Sequence, residues 1–110
     1  MVQHYNYLID MLKEIDNGSE TIPSDEDYKL ALHEIYFNKD SNKLGGLAHL
    51  LANIYFKKGK FKDYSEAFEE TVADLYNCYK QIDEQYFNKK EADNIQRFYI
   101  DSMKKSIINN

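Results

Sequence analysis

Apolar residues recur at helical spacing through the second half of the chain. From Tyr64 to Tyr86 they follow one another at intervals of three or four residues, which places them on one side of an α-helix. They are Tyr64, Phe68, Val72, Leu75, Tyr79, Ile82 and Tyr86. Asp63 precedes this stripe as an N-cap, and Glu66 completes a variant of the capping box. The pattern predicts the longest helix of the protein, ending at about Phe87.

Four further amphipathic segments predict four more helices. They cover Val2–Asp16, Asp25–Phe37, Lys43–Lys58 and Lys90–Ile107. Ser24 is a typical N-cap for the second of them, and Gly18 and Gly59 end the first and third. No segment predicts a strand. We therefore expect an all-α fold, an antiparallel bundle of four to five helices, in a single domain covering residues 1–110.

Two adjacent glycines, Gly45 and Gly46, fall near the start of the third helix. Each destabilises a helix by about 1 kcal/mol relative to alanine. Either the helix begins later, near Leu47, or another backbone packs closely against this point.

Composition and charge favour a protein partner over nucleic acid. The net charge is −5, and Arg97 is the one arginine among 14 basic residues, whereas phosphate recognition needs clustered Lys and Arg. Direct nucleic-acid binding is therefore not expected. The chain has ten Tyr and six Phe, which suit shallow cores and interfaces. A helical chain of 110 residues is also short enough to share its core with a second copy, so a homodimer is an alternative. The Lys, Asn, Ile and Tyr bias suggests an A/T-rich coding sequence, as in a low-GC bacterium or its phage.

Cysteine usage and hydropathy predict a cytoplasmic protein. Cys78 is the only cysteine, which rules out an internal disulfide and a cysteine-based zinc site. It lies beside the apolar stripe, so we expect a small, buried packing residue. The first residues lack the basic start and apolar run of a secretion signal, and no segment approaches the roughly 20 apolar residues of a membrane span.

Histidines do not predict a metal site. His4, His33 and His49 are far apart and match no ligand spacing. His49 lies near the apolar face of the third helix, where we expect a hydrogen-bonded core histidine. No serine or cysteine has the context of an activated nucleophile, so no catalytic residue, metal or cofactor is predicted.

Carboxylates form the most distinctive polar surface. Four of them lie on the fourth helix, where Glu66, Glu70 and Asp74 are almost opposite the apolar stripe, and three more occupy the first turn of the second helix. The first group is Glu66, Glu69, Glu70 and Asp74, and the second is Asp25, Glu26 and Asp27. A metal site would also need carboxylates from a facing helix, and residues 43–62 contain none. We interpret both groups as partner-binding surfaces.

One stretch resembles a known enzyme family. Residues 47–82 read LAHLLANIYFKKGKFKDYSEAFEETVADLYNCYKQI, in which a basic turn leads into an acidic helix with the step Ala73-Asp74-Leu75. With the closing helix to residue 107, this layout resembles the all-α MazG-like nucleotide pyrophosphohydrolases.

The resemblance implies Mg²⁺ held by four carboxylates, two from each of two facing helices, in a dimer or tetramer. At the corresponding positions this chain has Gly46, His49, Thr71 and Asp74, so only Asp74 matches. One carboxylate cannot hold the metal that orients a triphosphate. The resemblance therefore implies a non-catalytic relative.

We expect a non-catalytic protein-binding module. A small acidic helical chain of this kind suits an inhibitor, immunity protein or antitoxin of phage or mobile-element character, which occupies a surface of a basic, nucleic-acid-handling target. The alternative is a divergent Mg²⁺-dependent nucleoside triphosphate pyrophosphohydrolase. It would use Glu66, Glu70 and Asp74 together with a carboxylate from elsewhere, such as Glu34.

Overall fold

Five α-helices follow one another in a computed structural model that describes residues 3–82 and 89–108. They are α1 (His4–Asp16), α2 (Asp25–Phe37), α3 (Ser41–Lys57), α4 (Tyr64–Ile82) and α5 (Lys89–Ile108). These ranges contain no strand, and the predicted all-α fold is confirmed. The predicted continuation of α4 to Phe87 lies outside the described residues.

Side-chain caps fix the starts of α2 and α4 where the sequence predicts them. The Ser24 hydroxyl accepts a hydrogen bond from the Asp27 backbone N–H at 3.2 Å, and the Asp27 carboxylate accepts one from the Ser24 N–H at 2.9 Å. At α4, Asp63 Oδ1 accepts from the Glu66 N–H at 2.8 Å. Each cap satisfies N–H groups that have no partner within the helix, and so determines where the helix begins.

Helix α3 begins earlier than predicted. Asp40 Oδ1 accepts a hydrogen bond from the Lys43 N–H at 3.2 Å, so the helix starts at Ser41 and contains both Gly45 and Gly46. The suggested later start near Leu47 is wrong. A Cβ added at Gly46 would lie 3.1 Å from the Tyr5 hydroxyl, so at this glycine the close neighbour is a side chain of α1 rather than a backbone.

Helix α3 is the centre of the bundle, in contact with each of the other four helices. Its buried residues cover about half of the helix circumference, and Gly46, Asn53 and Lys57 on the other half are exposed. The buried residues are Leu44, Gly45, Leu47, Ala48, Leu51, Ala52 and Ile54. The buried half leaves little room for charge, and residues 43–62 contain no Asp or Glu.

Candidate functional site

The acidic row of α4, defined as Glu66, Glu69, Glu70 and Asp74, faces solvent. All four residues are exposed, while Phe68, Val72 and Leu75 on the opposite side are buried. The row therefore lies where the sequence pattern predicts, away from the core and accessible to a large partner.

A cleft between α2, α3 and α4 joins the two acidic groups. Its volume is about 170 Å³, and its described lining residues are Asp25, Tyr28, Leu51, Tyr55, Thr71, Asp74, Leu75 and Cys78. Asp25 comes from the first turn of α2 and Asp74 from the acidic row of α4. The surfaces predicted as two separate patches thus meet at one cleft. Glu26 is exposed in the same first turn of α2, whereas the Asp27 carboxylate is engaged in the capping box.

The two tyrosines of the cleft stay protonated at neutral pH. Burial raises the pKa of Tyr28 well above its usual value, and the nearby Tyr55, Cys78 and Asp25 raise it further. Burial also raises the pKa of Tyr55, with a smaller contribution from Asp74. The cleft therefore combines neutral phenol groups with a negative electrostatic potential.

Cys78 lies in the wall of the cleft and is half-buried, not fully buried in the core as expected. Burial raises the pKa of its thiol, and the negative charge of Asp25 adds to that effect. The thiol thus stays protonated at neutral pH, which is the opposite of what an activated nucleophile needs.

The pyrophosphohydrolase resemblance implies that four positions share one metal site, but in this structure they lie in different environments. Thr71 and Asp74 line the cleft. Gly46 approaches Tyr5 of α1, and the His49 ring stacks on Phe68 with 4.4 Å between ring centroids. Among the described side chains, those of residues 3–78, 80 and 93–105, no three of Asp, Glu, His or Cys come together in a group that could hold a metal ion.

Glu34, suggested above as an additional metal ligand, is engaged elsewhere. Its carboxylate accepts hydrogen bonds from the backbone N–H groups of His4 at 2.9 Å and Tyr5 at 3.4 Å. It therefore caps the first turn of α1 from the neighbouring helix, a structural role that complements the helix dipole.

His49 is hydrogen-bonded as the sequence predicts, but it does not belong to the buried core. It is half-buried, its Nδ1 lies 2.5 Å from the Tyr64 hydroxyl, and burial lowers the pKa of the imidazole. Its ring is parallel to that of Tyr64, with an angle of 3° between the planes. These contacts describe a packing residue of the α3–α4 interface.

The sequence pattern did not predict the cleft, although its lining residues recur at helical spacing along α2 and α4. Tyr28 and Tyr55 lie in segments whose pattern predicts the second and third helices and nothing further. Asp25 precedes Tyr28 by three residues, and Thr71, Asp74 and Cys78 are three and four residues apart, so each set shares one helix face. What the pattern could not supply was the pairing of these faces across the bundle.

Comparison with known proteins gives no assignment: no family model matches the chain, and no match is found among curated proteins or solved structures. Within the described part of the chain, no helix has both the length and the apolar character that crossing a membrane requires. The function must therefore be argued from the cleft and the acidic row.

Proposed function

We propose that this protein is a non-catalytic binding module that occupies a basic surface of another protein. The observation that carries the proposal is the continuity of the acidic surface, which runs along α4 to Asp74 and across the cleft to Asp25. A continuous acidic surface of this kind complements a basic partner and orients it.

The charge of the whole chain supports the same conclusion. A net charge of −5 accelerates encounter with a cationic partner, and an exposed carboxylate row fixes the direction of approach. Basic surfaces are typical of proteins that handle nucleic acids. With the A/T-rich coding bias, this favours an inhibitor, immunity protein or antitoxin of phage or mobile-element type, acting on a nucleic-acid-handling target.

The test is charge reversal on the acidic row. A partner would first be identified by affinity capture, and its purified form measured by biolayer interferometry against the wild type and a Glu66→Lys/Glu70→Lys/Asp74→Lys variant. We expect the affinity to fall by about 100-fold or more, mainly through a slower association that depends strongly on salt. Circular dichroism should show an unchanged helical fold, because all three positions are exposed.

A matched control variant carries the same change in net charge at three residues outside the acidic row and the cleft. Asp10 and Glu14 on α1 and Asp101 on α5 are exposed and do not line the cleft, and their reversal to Lys should reduce binding far less. If the α4 variant binds as well as the wild type, the acidic row is not the recognition surface and the proposal fails.

The second candidate is the divergent pyrophosphohydrolase, favoured by one observation: Asp74, the residue that matches the family, lines the cleft. Pyrophosphate release from a panel of nucleoside triphosphates with Mg²⁺ or Mn²⁺ tests it. Release by the wild type that disappears in Asp74→Asn would replace the binding-module proposal with an enzyme.

A further inference from the structure

We infer that the cleft between α2, α3 and α4 receives one cationic side chain, a lysine or an arginine, from the partner protein. This inference rests on the proposed function and specifies its anchor point. Four features of the cleft carry it: its size, the rings in its walls, its apolar lining and the position of its two carboxylates.

The size of the cleft suits a side chain better than a metabolite. Small-molecule sites usually enclose about 300–1,000 Å³. The volume here is about 170 Å³, which leaves too little space for a nucleotide. A single long side chain entering from the surface fits a cleft of this size.

The apolar lining matches the carbon stem of Lys or Arg. Leu51 and Leu75 are each only 4% exposed and line the cleft with the half-buried rings of Tyr28 and Tyr55. Lys and Arg bury their methylene stems on such surfaces, and an aromatic ring attracts the cationic end. The molecule already makes contacts of this type. Lys39 Nζ lies 3.3 Å from the ring centroid of Tyr36, and Lys60 Nζ lies 5.7 Å from that of Tyr55 in the wall of the cleft.

The charge of the cleft selects a cation. Asp25 and Asp74 contribute carboxylates from two different helices, and the described lining residues include no Lys, Arg or His that would neutralise them. A cation between these helices forms charge-assisted hydrogen bonds, which are shorter and stronger than those between neutral groups. An anionic or neutral side chain would leave both carboxylates unpaired.

An organic cation fits this site better than a divalent metal ion. Ca²⁺ takes six to eight oxygen ligands, and Mg²⁺ demands a near-ideal octahedral arrangement. The described lining offers only two carboxylates as charged oxygen ligands. A lysine or arginine needs only the two carboxylates and the rings.

The single cysteine allows a direct test without knowledge of the partner. Cys78 lines the cleft, so a small group attached to its sulfur lies within the cleft. The purified protein is equilibrated with equal amounts of cystamine and 2-hydroxyethyl disulfide and their thiols. Exchange forms a Cys78 disulfide carrying either an ammonium or a hydroxyl group of similar size and releases the corresponding thiol. Mass spectrometry gives the ratio of the two adducts, and the same mixture in concentrated urea gives the reference ratio for an unfolded chain.

We expect the folded wild type to favour the ammonium adduct by about tenfold over the urea reference. An Asp25→Asn/Asp74→Asn variant should lose this preference. An Asp10→Asn/Glu14→Gln variant, with the same change in net charge on α1, should keep it. A wild-type ratio equal to the urea reference, or a preference that survives in Asp25→Asn/Asp74→Asn, would overturn the inference.

A second measurement uses a variant in which a lysine of the chain itself supplies the cation. Cys78→Lys should unfold at a higher temperature than Cys78→Gln, because the lysine ammonium can pair with Asp25 and Asp74. This difference should vanish when both aspartates are changed to Asn, and equal melting temperatures in the wild-type background would count against the inference. Neither measurement involves a partner. A negative result for the cleft therefore leaves the charge-reversal test of the acidic row unaffected, and a negative charge-reversal result leaves the cation preference of the cleft to be judged by these two measurements.

Discussion

Helix α4 has two flanks that differ in kind. Towards α3 and α5, Phe68 and Val72 meet Tyr99 and Met103, and the packing leaves no space that a water molecule could occupy. We call this the closed flank. Towards α2, the same helix borders the cleft of about 170 Å³, which we call the open flank.

The difference follows from the side chains rather than from the backbone. Aliphatic residues, Phe68 and the 4% exposed Tyr99 interdigitate fully on the closed flank, whereas Tyr28 and Tyr55 on the open flank are only half-buried, with their hydroxyl groups near water. With Tyr28 and Tyr55 on the open flank, complete closure would bury their hydroxyl groups beside Asp25 and Asp74. The closed flank thus stabilises the fold, while the open flank is available for binding.

The largest expected effect is loss of the closed flank. Phe68 is 4% exposed, and Phe68→Ala removes a buried ring and its stacking on His49, which should lower the free energy of unfolding by about 3–5 kcal/mol. On the open flank, Asp74→Asn should change it by less than about 0.5 kcal/mol. Urea denaturation measures both, and similar values for the two variants would remove the distinction between the flanks.

A smaller effect concerns two hydroxyl groups that are buried equally. Ser102 is 2% exposed, and its Oγ has no hydrogen-bond partner within the described part of the chain, so Ser102→Ala should stabilise the protein by about 1 kcal/mol. Thr71 is 1% exposed but bonded to Ala67, so Thr71→Val should be neutral or destabilising. Thermal unfolding of the pair distinguishes an unpaired hydroxyl from a paired one. A destabilised Ser102→Ala variant would mean that its hydroxyl is paired after all.

The third prediction concerns the electrostatics of the open flank alone. Asp25→Asn removes a negative charge that disfavours the Cys78 thiolate, so the pKa of the thiol should fall towards its usual value. The rate of alkylation by iodoacetamide as a function of pH reports this pKa. Asp74→Asn, whose charge acts chiefly on Tyr55, serves as the control and should shift the profile less. If the pH profile of alkylation is unchanged in Asp25→Asn, the charge of Asp25 does not act on the Cys78 thiol in the cleft.

The smallest effect is a dependence of stability on pH from His49, beside the closed flank. Burial holds the pKa of His49 in the folded state below its unfolded value of 6.5. The unfolded chain therefore binds the proton more readily, and this contribution to stability is complete above that value and declines as the pH falls towards the folded pKa. Between about pH 7.5 and about pH 5.5, the wild type should lose more thermal stability than His49→Phe. An equal loss in both proteins would mean that His49 is not the titrating group.

The sequence predicts what depends on local patterns. The start of α2 follows from Ser24 and the acidic turn behind it, and the exposure of the acidic row follows from helical periodicity. Tertiary relations are not encoded in such patterns. The cap that Glu34 provides for α1 joins residues 29 and 30 positions apart, and the approach of Asp25 to Asp74 depends on the pairing of α2 with α4.

The central position of α3 has a consequence for how this protein can change. The residues that specify the fold are concentrated in a helix without acidic side chains, while the acidic row lies on the outer face of another helix. Substitutions along that outer face alter charge without touching the interior. The bundle can therefore accept changes of surface charge over a few mutations while its architecture stays constant, and the same property makes it a scaffold on which new binding surfaces can be selected from libraries.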